Sequence, residues 1–219
     1  MKKIVIFGTT AFSFLIKSEM ESDGVDIAAF TVNEAYMPET WDDPIPLVPF
    51  EKLREYFGED PFEIIITVGY KRMNERRAAV FHACDEMGYE IGSFVHSSAI
   101  CKAASVGRGN IILPDCVINA YVKIGNGNIF VNNTVIGHET TVGDFNFFAG
   151  ITTGGLATIG NHCFLGMKSI VCNNISVGDY TILGAGTVLS KSSNPYSMVF
   201  PAKNRTLSLD IDSLDSVLV

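Results

Sequence analysis

The chain has 219 residues, a hydrophobic fraction of 47% and a formal net charge of −8. This length accommodates two modest domains of ordinary globular composition. The acidic balance argues against a nucleic-acid polymer as partner, because phosphate binding wants a basic face, while a small anionic ligand remains compatible through local Lys and Arg.

Met1, Lys2 and Lys3 lead into a short apolar run, but Gly8, Thr9 and Thr10 interrupt it too early for a secretory signal. No apolar stretch approaches the length of a membrane span, and a cytoplasmic protein is expected. Lys3 to Phe7 predicts a buried strand, Ala11 to Met20 a helix, Asp26 to Val32 a second strand and Glu51 to Phe57 a helix. Phe62 to Val68 predicts a third strand, Met73 to Met87 a long amphipathic helix, and Tyr89 to Val95 a strand closing a small sheet. This succession implies a Rossmann-like α/β domain over residues 1–93, with a small parallel sheet and helices on its faces.

Ligands of such sheets gather at the carboxyl ends of the strands, which here carry Gly8, Thr9 and Thr10, then Asn33 and Glu34, then Gly69, Tyr70 and Lys71. Only Gly8 of the dinucleotide fingerprint is present; Thr10 and Ser13 stand where its other glycines would be. A dinucleotide pyrophosphate needs close backbone approach at those points, so NAD is not expected. Two readings stay open: a plain strand-to-helix turn, or a mononucleotide or nucleotide-sugar site.

From Phe94 to about Asn194 the chain repeats every six residues. An aliphatic or aromatic anchor stands at positions 94, 100, 106, 112, 118, 124, 130, 136, 142 and 148, resuming at 159, 165, 171, 177, 183 and 189. Four places further on sits a small, β-branched or short polar residue, such as Asn110, Cys116, Asn128, Thr140, Asn146, Thr152 and Cys163, and Gly follows many anchors. Helices want apolar spacings of three and four, and strands of two. A period of six describes a short strand plus a corner, three of which close a triangular coil of about eighteen residues. Gly is expected to free the backbone at the turns. Residues 195–219 are read as a C-terminal tail. The five cysteines show no paired metal spacing, and Cys116 and Cys163 fall on inward positions, as core thiols of a reducing compartment do.

These repeats resemble the hexapeptide-repeat, left-handed parallel β-helix family, rich in acetyl-CoA-dependent acyltransferases. With the α/β domain ahead of it, the chain is similar to bacterial nucleotide-amino-sugar N-acetyltransferases and sialic acid O-acetyltransferases. The residues that carry the likeness are Phe94 to Ile100, Ile136-Gly137-His138-Glu139, Val142-Gly143-Asp144-Phe145, Ile159-Gly160, Leu165-Gly166 and Pro201-Ala202-Lys203. The resemblance implies that the first domain holds the nucleotide of the sugar. It also implies that acetyl-CoA lies in a groove between subunits of a homotrimer.

Acetyl transfer needs a base near pKa 7, which points to His, and neither a metal nor a covalent intermediate. Of the four histidines, His82 and His96 read as structural and His162 as a surface residue. His138 follows Ile136 and Gly137 and is directed outward; the resemblance makes it the catalytic base with Glu139 as its acidic partner. The step from 148 to 159 is eleven residues, one short of two hexads, and contains Gly154 and Gly155. Counted back from Ile159, Gly155 matches the family glycine whose amide faces the acetyl carbonyl; counted forward from His138, Leu156 takes that place. The resemblance assigns Gly166 and Ala185 to the pantetheine channel and Lys203 to a CoA phosphate. It also places a second cofactor-lining His where this chain has Phe147.

The leading expectation is acetyl transfer to the amino group of a nucleotide-linked deoxyamino sugar. An O-acetyltransferase on a sugar or sialic acid uses the same base, and a non-catalytic nucleotide-sensing or assembly module is the alternative of another class. Zinc carbonic anhydrases on this helix need three His ligands, which the repeat does not supply.

Overall fold

The computed structural model describes residues 2–202; Lys203 and the rest of the tail fall outside them. Five parallel strands form the first sheet: β1 (Lys3–Phe7), β2 (Ile27–Val32), β3 (Leu47–Pro49), β4 (Phe62–Ile66) and β5 (Glu90–Ile91), in spatial order β3-β2-β1-β4-β5. Helices α1 (Ala11–Ser22), α2 (Leu53–Phe57) and α3 (Glu75–Glu86) lie between them. Chain order reverses at β1, which pairs with both β2 and β4; the crevice at such a switch point is where these sheets take ligands. The segment expected to close the sheet is split. Glu90–Ile91 pairs with β4, whereas Phe94–Val95 already belongs to the repeat.

Beyond residue 93, two-residue strands stack into three parallel sheets of seven, six and five strands, the walls of a left-handed triangular prism. The second residue of each strand points inward. Ile112, Ile118, Ile124, Phe130, Ile136, Val142, Phe148, Ile159, Leu165 and their successors make one continuous core. Inside it Asn110, Asn128 and Asn146 form a ladder. Each side-chain oxygen accepts the N–H of the residue one coil on, at 2.9, 2.9 and 2.7 Å, the last donor being Cys163. Buried amides must be paired, and a truncated member would leave unmet groups costing about 1–3 kcal/mol each. Burial pushes the Cys163 thiol up to about 11, so it stays a protonated core group.

The register differs from the expected one at two places. Val95 pairs with Ile112 and Cys101 with Ile118, so these residues take the anchor phase, while Phe94 turns outward and packs with Ile6 and Ile65. The second shortening lies ahead of the glycine pair, between Phe148 and Thr153. Thr152 pairs with Val135 on the outside, whereas Ile151 and Thr153 are buried. Thr152 is therefore not an inward residue, and the coil through this point has 17 residues, Val142 pairing with Ile159. The ladder also runs past Asn194, because Met198–Val199 pairs with Ile182–Leu183.

The glycines after the anchors do not supply the turns. Left-handed backbone falls two residues later, at a few glycines such as Gly127 (φ 62°) but mostly at non-glycine corners such as Glu139 (φ 57°) and Leu156 (φ 60°). The glycines instead allow coils to approach: a β-carbon on Gly125 would lie 2.7 Å from the Gly143 carbonyl oxygen, and one on Gly143 2.8 Å from that of Gly160.

The three faces differ in outward chemistry. The seven-stranded face presents Phe94, Ile111, Ile129, Phe147 and Phe164 and is covered by the α/β domain through Ile6, Ile16, Phe30 and Ile65. The five-stranded face presents Ser105, Lys123, Thr141, Thr158 and Ser176. The six-stranded face presents Ile100, Val117, Val135, Thr152, Ile170 and Val188, with Ile100, Ile170 and Val188 exposed.

Arg77 of α3 is fully buried at the joint between domains. Its guanidinium donates to the carbonyls of Gly127 (2.7 Å) and Asn146 (3.0 Å) in the prism, and to Val68 (3.0 Å), Gly69 (3.2 Å) and the Asn74 side chain (3.0 Å). Burial lowers its pKa to about 9, still a charged group at neutral pH. The cation is satisfied by neutral oxygens, which suits the forked geometry of guanidinium.

Candidate active site

His138 stands on the edge where the bare apolar face meets the polar face, following strand Val135–Ile136. Its side chain is 60% exposed, and Nδ1 lies 3.2 Å from Glu139 Oε1. The two adjacent residues do meet, because Glu139 takes the left-handed corner conformation and turns its side chain back along the edge. A carboxylate there orients the ring and fixes which ring nitrogen faces away from it.

The 17-residue coil sets Gly155 beside His138 and Leu156 beside Glu139. A β-carbon on Gly155 would lie against the imidazole, 2.7 Å from Cε1 and 2.8 Å from Cδ2. The ring therefore occupies space that any other residue at 155 would claim. The Gly155 N–H donates to Asn173 Oδ1 at 3.0 Å, and the Leu156 N–H to the His138 carbonyl at 2.9 Å. Both amides expected to face an acetyl carbonyl, those of Gly155 and Leu156, are thus engaged within the chain. On the polar side of the edge, Tyr121, Lys123, Glu139 and Thr141 line an open hollow of about 470 Å³.

Gly166 and Ala185 come together, one coil apart: a β-carbon on Gly166 would lie 2.8 Å from the Ala185 nitrogen. They lie on the edge between the covered and bare faces, so they do not meet His138 within one chain. Phe147 points into the domain joint, with Phe12 (6.1 Å between centroids), Tyr70 (5.0 Å) and Phe164 (5.7 Å) around it. His162 is not a plain surface residue. It is half-buried, stacked on Tyr180 at 4.8 Å, with Nδ1 3.2 Å from the Met73 carbonyl.

The substrate candidates of the first domain gather at the expected end of the sheet. Gly8 (φ 133°) ends β1, and the side chains of Ser13 and Thr67 fill the space beside it, 2.6 and 2.8 Å from where a β-carbon would stand. Thr9 lines a hollow of about 450 Å³ with Phe14, Trp41, Thr40, Asp42 and Asp43, and Thr10 stands as the N-cap of α1. Asn33 Nδ2 donates to Glu51 at 3.1 Å, and the Gly69 carbonyl accepts from Arg77. Tyr70 is 52% exposed and rests on Phe147 and Phe164, at the height of the His138 coil but on another face. Arg72, Met73 and Asn74 follow in three consecutive left-handed conformations, φ 55°, 50° and 64°, an uncommon run for non-glycine residues.

Sequence reasoning passed over Arg77, Asn74 and Asn173. For Asn173 a signal existed: Asn126, Asp144, Asn161 and Asp179 repeat at coil spacing in the same place after an anchor.

The bacterial transferase hexapeptide (six repeats) family matches residues 157–191. Among solved structures, the chain is similar to PerB from Caulobacter crescentus in complex with CoA and GDP-perosamine, at 19% identity over 91% of this chain and 94% of that one, TM-score 0.77. The acetyltransferase domain of PglB from Neisseria gonorrhoeae, in complex with acetyl coenzyme A, is 18% identical over 92% of this chain and 98% of that one, TM-score 0.80. WeeI from Acinetobacter baumannii is 17% identical over 91% and 97%, TM-score 0.77. The chain carries the bacterial transferase hexapeptide repeat on the two-domain fold that these proteins share.

Proposed function

We propose that the protein transfers an acetyl group from acetyl-CoA to the amino group of a nucleotide-linked deoxyamino sugar, with His138 as general base and Glu139 orienting it. The observation that carries this reading is the His138 imidazole lodged over Gly155, paired with Glu139 and open to solvent on an edge of the prism. The CoA and GDP-perosamine bound by PerB support it. Fold alone would not, since one fold hosts many chemistries.

In the transfer, His138 takes a proton from the attacking amine and returns it to the thiolate of CoA as the C–S bond breaks. The acetyl donor fits a particular placement. The bare face is bounded on one side by the His138 edge and on the other by the edge carrying Gly166 and Ala185. Packing this face against a second copy brings the base of one subunit towards the small residues of the next. The same packing delivers substrate: the α/β domain covers the seven-stranded face, away from its own His138, so a neighbour's domain completes the site. A homotrimer closes this arrangement with one interface type, and Lys203 is assigned to the CoA phosphate. Gly8, Thr9, Thr10, Asn33, Gly69 and Tyr70 hold the nucleotide sugar. No helix among the described residues is long and apolar enough to cross a membrane, and we place the protein in the cytoplasm.

The test is release of free CoA from acetyl-CoA with GDP-, UDP-, dTDP- and CMP-linked amino sugars and their hydroxyl counterparts. The unsubstituted protein should turn over an amino sugar, and His138→Ala should lower kcat by about 10²–10⁴-fold. Undiminished turnover in that variant sinks the base assignment, and transfer to the hydroxyl sugars alone sinks the choice of acceptor.

A further inference from the structure

We propose that Asn173 supplies the donor that stabilises the oxyanion, through its side-chain nitrogen. This rests on the acetyltransferase reading above. The carboxamide orientation is fixed chemically: its partner is the Gly155 N–H, which only donates, so the oxygen must face it, at 3.0 Å. The nitrogen is left on the open side of the group, and it has no partner among the described residues.

The same corner place on the opposite side of the polar face gives a built-in comparison. There Asn126, Asp144, Asn161 and Asp179 accept N–H groups from one coil back, at 2.9, 2.6, 2.8 and 2.7 Å. The side-chain nitrogens of Asn126 and Asn161 are consumed by the next carboxylate along, each at 3.2 Å. One coil beyond Asn173 the chain has Lys191, which offers no acceptor. Asn173 thus keeps the capping bond and releases its own donor.

The glycine pair makes room for two polar groups at one edge. A β-carbon on Gly154 would fall on the Asn173 side chain and 2.7 Å from its backbone nitrogen, while one on Gly155 would fall on the His138 ring. Imidazole and carboxamide therefore flank the same short stretch of backbone. When the amine attacks the thioester carbonyl, a C–N bond forms and the carbonyl π pair moves to oxygen. The Asn173 N–H binds that oxygen. Collapse restores the carbonyl, breaks the C–S bond and sends the amine proton through His138 to the thiolate. A neutral, anchored donor is well suited to charge that appears only in the transition state.

The experiment measures kcat and KM for acetyl-CoA in Asn173→Ala and Asn173→Asp, together with thermal unfolding. Asn173→Ala should lower kcat by about 10²–10³-fold with KM little changed. Asn173→Asp retains an acceptor for the Gly155 N–H, should keep the wild-type melting temperature, and should lose at least as much kcat because it sets a carboxylate where the oxyanion forms. Full kcat in Asn173→Asp would reduce Asn173 to a cap, and full or raised kcat in Asn173→Ala would assign the role to the released Gly155 amide; either overturns the proposal while leaving the acetyltransferase reading intact. Absence of turnover in the unsubstituted protein overturns both.

Discussion

Asn74 holds Arg77 at 3.0 Å through its side-chain oxygen while its side-chain nitrogen donates 3.1 Å to the Cys163 carbonyl in the prism. One corner residue in a left-handed conformation thus joins the loop after β4 to the β-helix and steadies a buried cation. Arg77→Ala should destabilise the protein by at least about 3 kcal/mol, because it removes the donor from several buried neutral oxygens at about 1–3 kcal/mol each. Arg77→Lys should not restore it, because three ammonium donors cannot serve five separated acceptors. Urea unfolding of both variants checks this; a loss below about 1 kcal/mol in Arg77→Ala would show that the joint does not depend on the guanidinium.

Gly155→Ala should separate catalysis from folding. The added methyl meets the movable His138 ring, so the ring turns away and the coil survives. A displacement of this size costs about 10²-fold in kcat, with little change in melting temperature. Gly137→Ala meets the backbone of Gly154 and Gly155 instead and should lower the melting temperature. Equal stability losses in the two variants would contradict this division.

The repeat was legible because its anchors are large and its period fits no other element, and its phase was legible from Val106 onward but not in the two strands before it. On the covered and bare faces the outward residues are apolar too, as in Ile111-Ile112, Ile129-Phe130 and Phe147-Phe148. A shift of one residue therefore leaves no trace in hydropathy, and Phe94 passed for an anchor although it packs on the α/β domain. β3 went unseen because Pro44 and Pro46 precede it and Pro49 ends it; proline is tolerated in such a strand because it lies at the sheet edge. His138 and its pairing with Glu139 were readable from the motif. The place of Asn173 after its anchor was readable from the coil-spaced Asn and Asp residues, but its bond to the Gly155 N–H was not, since that depends on a neighbour a full coil away.

Ile170→Lys and Val188→Lys place charge on the bare apolar face, where Ile170 is 41% and Val188 58% exposed. Light scattering should show a trimer for the unsubstituted protein and a monomer for the double variant. Acetyl transfer should disappear while nucleotide-sugar binding by the α/β domain persists. An active monomer would refute the shared site.

Arg108 binds Asp85 of α3 with both donors, at 2.8 and 3.1 Å, and this bond holds the Asp85 carboxyl below its usual range. A depressed carboxylate contributes stability above its unfolded pKa of about 3.9, and loses it as pH falls through the lower folded value. The pair is well exposed, so the contribution is small. The melting temperature of Arg108→Ala should lie slightly below wild type at pH 7, and the gap should narrow as pH falls through the depressed folded pKa of Asp85. A gap that widens on acidification would reverse the sign.

The shortened turn between Phe148 and Thr153 has a consequence for how this edge is specified. In a coil of uniform length Leu156 would lie beneath His138, and its side chain would evict the imidazole; omitting one residue slides a glycine there instead. Chemistry at this edge is governed by chain length as well as residue identity. A single-residue insertion next to Gly150, well away from His138 and Asn173 in sequence, would preserve every residue of this edge and dephase it, a lesion that comparison of residues position by position would overlook.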